Sequence, residues 1–144
     1  MTKILFGLIS AVAGVATAFQ SAANAGLSSR IGLGGALVVN TVIVLVASLA
    51  LYLAQGRYGT FFPAGTPWIF YLGGVFGFVI ILSLAYVFPK VGAAVAIALV
   101  VLGQGAGALA IDHFGLLEMP KEPVTFARVA GLVLVSGGVV LLRA

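Results

Sequence analysis

Long apolar runs separated by short polar gaps dominate the chain. Five stretches hold about twenty consecutive, predominantly apolar residues, the length needed to cross the hydrocarbon core as a helix. They lie near Ile4–Ala23, Leu33–Leu53, Trp68–Phe88, Val91–Ile111 and Val124–Leu142. None contains a proline; Pro63, Pro67, Pro89, Pro120 and Pro123 all fall in the gaps, where a missing N–H costs little. The runs do not alternate apolar and polar residues, as barrel strands would. Backbone surrounded by lipid must satisfy its own hydrogen bonds, so the pattern predicts an all-α membrane protein, a single domain over residues 1–144 with five spans. The gaps predict short connections: Gly26–Gly32, an aromatic-rich Gln55–Pro67, a tight turn at Pro89-Lys90, and Asp112–Pro123. None is long enough to fold by itself, so function is expected inside the bundle. Tyr52, Tyr58, Trp68 and Tyr71 fall near span ends, the usual place of interfacial aromatic anchors.

Composition agrees. Of the 144 residues 62% are apolar and 7% charged, with mean hydropathy +1.28; a soluble domain carries about a quarter of its residues as charges. The bilayer is therefore the first expected partner. The net charge of +4 is scattered, which argues against nucleic-acid binding, a function that needs clustered Lys and Arg. The chain has no cysteine, which excludes disulfides and thiolate metal sites. Lys3, an apolar run and Ser21-Ala22-Ala23-Asn24-Ala25 look like a signal peptide, yet the run needs no such explanation beside four similar ones, and cleavage is not expected.

Alternating spans place Lys3, Arg57, Lys121 and Arg128 on one side, and Arg30, Lys90 and Arg143 on the other. Orientation follows the Lys/Arg excess in short loops, and here the excess is one charge. Two outcomes are open: one weakly biased topology, or copies inserted both ways and paired antiparallel. The second would reproduce the inverted repeats of many transporters from one short chain.

Polar residues within the runs mark candidate chemistry. Ser10, Gly14, Thr17, Ser21 and Asn24 recur at spacings of four and three, one face of a helix, bordered by Gln20; Leu5, Leu8, Ile9, Val12 and Phe19 face the other way. The stripe lines a polar path or serves close packing, since Ser, Thr and Gly do both; the amides of Gln20 and Asn24 are larger than packing needs. Asn40 and Thr41 follow in the second run and Gln104 in the fourth. Gly73/Gly77 and Gly103/Gly107 have the spacing of helix-packing glycines. Asp112 closes the fourth span, where the helix dipole disfavours an anion, so it should have a partner. Arg128 on the same side is the candidate, making a structural pair, or, with His113, a proton-responsive gate. One His and one Asp do not make a hydrolase or a metal centre; neither enzyme activity nor a cofactor is expected.

Three segments carry a resemblance. They are Gln20-Ser21-Ala22-Ala23-Asn24-Ala25-Gly26-Leu27 with Arg30 and Gly32; Pro89-Lys90-Val91-Gly92-Ala93-Ala94 leading to Gly103-Gln104; and Asp112-His113-Phe114-Gly115-Leu116-Leu117. In order and spacing the chain resembles the small YdcZ-type membrane proteins of the drug/metabolite transporter superfamily. The resemblance implies a bacterial inner-membrane protein, each chain equivalent to half of a ten-helix transporter and working as an antiparallel pair. The superfamily's small multidrug exporters carry a membrane-embedded Glu in helix one; this sequence has Gln20 and Asn24 there, and no carboxylate. The resulting expectation is a transporter of a small polar or amphipathic metabolite, working by alternating access in an antiparallel homodimer. Thr17, Gln20, Ser21, Asn24, Asn40 and Gln104 are its candidate substrate-binding residues. A dual-topology ion channel and a non-transporting accessory subunit are the alternatives.

Overall fold

The structure, a computed structural model, describes residues 2–56 and 59–142. Arg57, Tyr58 and Arg143, used above for charge balance and interfacial anchoring, lie outside the described residues. Every described element is helical: α1 (Thr2–Ile31), α2 (Leu33–Ala54), a 3-10 turn (Trp68–Leu72) leading into α3 (Gly73–Val91), α4 (Ala93–Phe114), a second 3-10 turn (Leu116–Glu118) and α5 (Phe126–Leu141). Four of these segments are long and apolar enough to cross a membrane: Lys3–Ile31, Leu33–Ala54, Trp68–Val91 and Ala93–Phe114. The fifth helix has 16 residues and spans about 24 Å at 1.5 Å per residue, shorter than the 124–142 run from which it was expected. It starts late because Thr125 caps it: the hydroxyl oxygen accepts from the Arg128 N–H.

Two connections differ from expectation in the same way. The Gly26–Gly32 segment is helical up to Ile31, and Pro89-Lys90, expected to turn, belongs to α3, which runs on to Val91. In both places the break is one glycine. Gly32 has φ 80 and ψ 157, and Gly92 has φ 83 and ψ 156, a region that only glycine enters at little cost. Proline does not set the end of α3: so close to the terminus it is the residue free to leave right-handed conformation that decides. Around both glycines the hydrogen-bonding resumes at once, Ala36 N–H to Gly32 O (3.0 Å) and Ala96 N–H to Gly92 O (3.1 Å). Each corner follows a cation, Arg30 or Lys90, in the last helical turn, where the helix dipole favours positive charge.

The chain divides into two compact units, Met1–Pro89 and Lys90–Ala144. In the first, α1 packs along α2, burying Ser21, Asn24, Ala36 and Leu37. Among the described residues, no comparably close packing joins α3 to α2. The opposite face of α1, with Leu5, Leu8, Ile9, Val12 and Phe19, is exposed, as a lipid-facing surface should be. The segment before α3 is held by aromatic contacts, Tyr52 with Phe61 and Phe62 with Tyr71, each with ring centroids 5.2 Å apart.

In the second unit α4 packs on α5, with Gly105 at the contact. A Cβ on Gly105 would lie 2.9 Å from Leu132 Cδ1, whereas Cβ atoms on Gly103 and Gly107 would meet nothing within 4 Å in this unit. Gly105 lies two residues from Gly103, about 200° round the helix, so α5 occupies the side away from the Gly103/Gly107 pair. Gly73 and Gly77 likewise face open space within the first unit.

Candidate functional site

The α1–α2 hairpin brings three amides together. Gln20 Nε2 and Asn24 Nδ2 each donate to Asn40 Oδ1 at 3.3 Å. Asn24 is only 7% exposed. With one oxygen accepting from two partners, Asn40 Nδ2 is enclosed and has no hydrogen-bond partner among the described residues. An unmatched buried amide donor costs about 1–3 kcal/mol, so the cluster sits in the fold with an unfilled demand. The rest of the polar stripe is satisfied locally: Ser10, Thr17 and Ser21 donate to the carbonyls of Phe6 (2.9 Å), Ala13 (2.9 Å) and Thr17 (2.7 Å) of their own helix. Of the candidates on α1, Gln20 and Asn24 are therefore the ones that reach across to another helix.

Asn40 also lines a cleft of about 340 Å³ between α2 and α3. Leu37, Val44, Phe78 and Ile81 supply apolar walls, and Thr41, Gly74 and Gly77 complete it. Its volume is at the small end of ligand pockets.

The second unit holds an ionic corner. Arg128 Nη1 donates to Asp112 Oδ2 at 3.4 Å, and Arg128 Nη2 pairs with Glu122 Oε2. The expected Asp112–Arg128 pair is thus present, with a second acid beside it. Backbone and ring contacts tie the same loop down: the Glu122 N–H donates to Asp112 O at 2.8 Å, and the Val124 N–H to His113 Nδ1 at 3.4 Å. His113 Nδ1 thus accepts from the backbone of the loop that leads into α5. A cleft of about 390 Å³ between α4 and α5 runs from Val101 and Val135 to this ion pair.

Residues 5–141 match the family model described as "Putative inner membrane exporter, YdcZ". The chain belongs to the YdcZ family. As a member it is a multi-pass inner-membrane protein and, at that level of description, a membrane transporter. Comparison with curated proteins and with solved structures gives no match.

In this YdcZ-family chain the sequence pattern singled out Gln20, Asn24 and Asn40 separately; the fold brings the three together. Gln104 belongs to the second unit and is exposed, and its side chain makes no hydrogen bond among the described residues. It lies between Gly103 and Gly105 on α4, a helix otherwise rich in apolar residues. Two features escaped the sequence reading. Glu122 is a partner of Arg128 that the dipole argument did not call for. The matching of Asn24 with Asn40 has a plain signal, for the two stand eight residues before and after Gly32.

Proposed function

We propose that this protein moves a small polar or amphipathic metabolite across the inner membrane by alternating access, as an antiparallel homodimer. Each chain would supply a five-helix half of a ten-helix inverted-repeat assembly. The observation that carries the reading is the amide cluster of Gln20, Asn24 and Asn40, placed within apolar helices and left with an unmatched donor. Amides recognise polar groups without needing charge, and transporters of inverted-repeat type bind substrate near the bilayer midplane. Gln104, an exposed amide on α4, is the second candidate wall, completed by the inverted partner; Thr17 and Ser21 support the α1 side. The near balance of basic residues, Arg30 and Lys90 against Lys3, Lys121 and Arg128 among those described, favours insertion both ways. Nothing in such a cycle requires covalent chemistry or a cofactor, so the protein works as a carrier and not as an enzyme.

Reconstitution tests the reading. Proteoliposomes loaded with a mixture of labelled metabolites should show saturable flux of at least one class, absent from empty liposomes. Single-channel currents without saturation would make the protein a channel. Absence of both would leave an accessory subunit. A reporter fused to the C-terminus should be found on both sides of the membrane, and a reporter confined to one side in every copy would remove the antiparallel pair.

A further inference from the structure

The geometry points to the cleft between α2 and α3 as the seat of an uncharged amphipathic ligand, whose oxygen acceptor is taken by the Asn40 amide. The inference rests on the transporter reading and names the substrate class of that site.

Three observations support it. The walls are apolar: Leu37 and Val44 from α2, Phe78 and Ile81 from α3. Asn40 has its oxygen committed to Gln20 and Asn24, and its Nδ2 has no partner among the described residues. The side chains lining the cleft include no ionisable group. A charged ligand would lie there without a counter-charge, and burying an unpaired charge is far more costly than burying a hydrogen-bonded polar group. An acceptor oxygen is what Asn40 lacks. Asn40 and Thr41 both line the cleft, and the terminal torsion of asparagine is broad, so in this proposal the amide turns on binding to bring its enclosed Nδ2 to the ligand oxygen. Gly77 opens the α3 side, where a Cβ would meet nothing within 4 Å in its own unit.

The chemistry selected is an apolar body of modest size carrying a carbonyl, amide or hydroxyl oxygen. A lipid acyl chain would fill the same walls, yet it offers no acceptor and would leave Asn40 as it stands.

Four probes with one phenylbutyl body separate these cases: 4-phenylbutanamide, 4-phenylbutanoate, 4-phenylbutylammonium and butylbenzene. Binding is measured by calorimetry on the full chain in lipid nanodiscs. The amide should bind, and both ions should bind roughly ten-fold or more weakly. Asn40→Leu should weaken the amide roughly ten-fold and leave butylbenzene unchanged. Gly77→Leu, which fills the cleft from a position with room for a side chain, should abolish binding while keeping the melting temperature at or above that of the parent. If Asn40→Leu does not fold, the probe series and Gly77→Leu still decide. Lack of amide binding, equal binding of either ion, or unchanged amide binding in folded Gly77→Leu would each overturn the proposal. Butylbenzene binding as tightly as the amide would assign the cleft to an acyl chain and overturn it too. The transport reading fails separately: an amide that binds but is never moved sinks that reading alone, and saturable flux of other solutes without amide binding sinks only this one.

Discussion

Asn24 Nδ2 donates to Asn40 Oδ1 across 3.3 Å, and the two residues stand eight positions on either side of Gly32. At 1.5 Å per residue the bond lies about 12 Å from the corner along both helices. It joins α1 to α2 at a depth where water is a poor substitute partner. Asn40→Leu removes the acceptor used by both Asn24 and Gln20, and should destabilise the protein by about 0.6–1.7 kcal/mol. Asn24→Leu added to it should cost less than the sum of the single changes. A double-mutant cycle on the unfolding free energy measures the coupling; strictly additive losses would show that the bond contributes nothing.

The Arg128 corner should be worth less than its drawing suggests. Its side chain is 35% exposed, Asp112 41% and Glu122 58%, so water and salt screen both pairs, and each coupling is expected at about 0.2–1 kcal/mol. Because Arg128 has two acids, Asp112→Asn alone should be mild, while Asp112→Asn with Glu122→Gln should leave the guanidinium without a carboxylate and cost more than either. Unfolding measured at low and high salt checks this. A loss from the double change that does not shrink with salt would contradict a screened pair.

The two corner glycines should resist replacement. Gly32→Ala and Gly92→Ala force a side chain into a backbone region it avoids, at about 1–3 kcal/mol each. Gly7→Ala provides the contrast. It lies inside α1, a Cβ there meets nothing within 4 Å, and alanine favours helix over glycine by up to about 1 kcal/mol. Melting temperatures should therefore fall at the corners and hold or rise at Gly7. The reverse order would mean that the corners are not confined to this conformation.

Gln104 separates transport from folding. Its side chain makes no hydrogen bond among the described residues and stands exposed on α4, so Gln104→Leu should leave expression and melting temperature near those of the parent while abolishing flux. Lost stability with residual transport would instead make it an interhelical contact in the assembled protein. A stable Gln104→Leu protein with full transport would leave the α1–α2 amides as the sole candidate wall.

The helices were legible because lipid imposes a simple demand, some twenty apolar residues per crossing. The partner of Asp112 was legible from the helix dipole. Glu122 was not, because its approach depends on a loop that passes through positive φ at Leu117 (57) and Glu118 (60), conformations that neither residue advertises. Pro89 misled because a proline was read as a stop, although a glycine three residues on ends the helix. The repeated wording of the corners, Arg30-Ile31-Gly32 and Lys90-Val91-Gly92, held that information. The glycine pairs were visible as small residues, but spacing alone does not say which face of α4 meets α5; Gly105 and Leu132 settled that.

A single residue separates α1 from α2, and helical hydrogen bonds run up to it on one side and resume directly on the other. Such a joint has no slack. A tilt imposed on one arm is delivered to the other instead of being absorbed by a loop, so the hairpin behaves as a bent lever with Gly32 at its elbow. The contact between Asn24 and Asn40 braces that lever across its inner angle. Whatever loosens the brace changes the stiffness of the whole arm, which lets an event among three amides be felt at the far ends of two long helices.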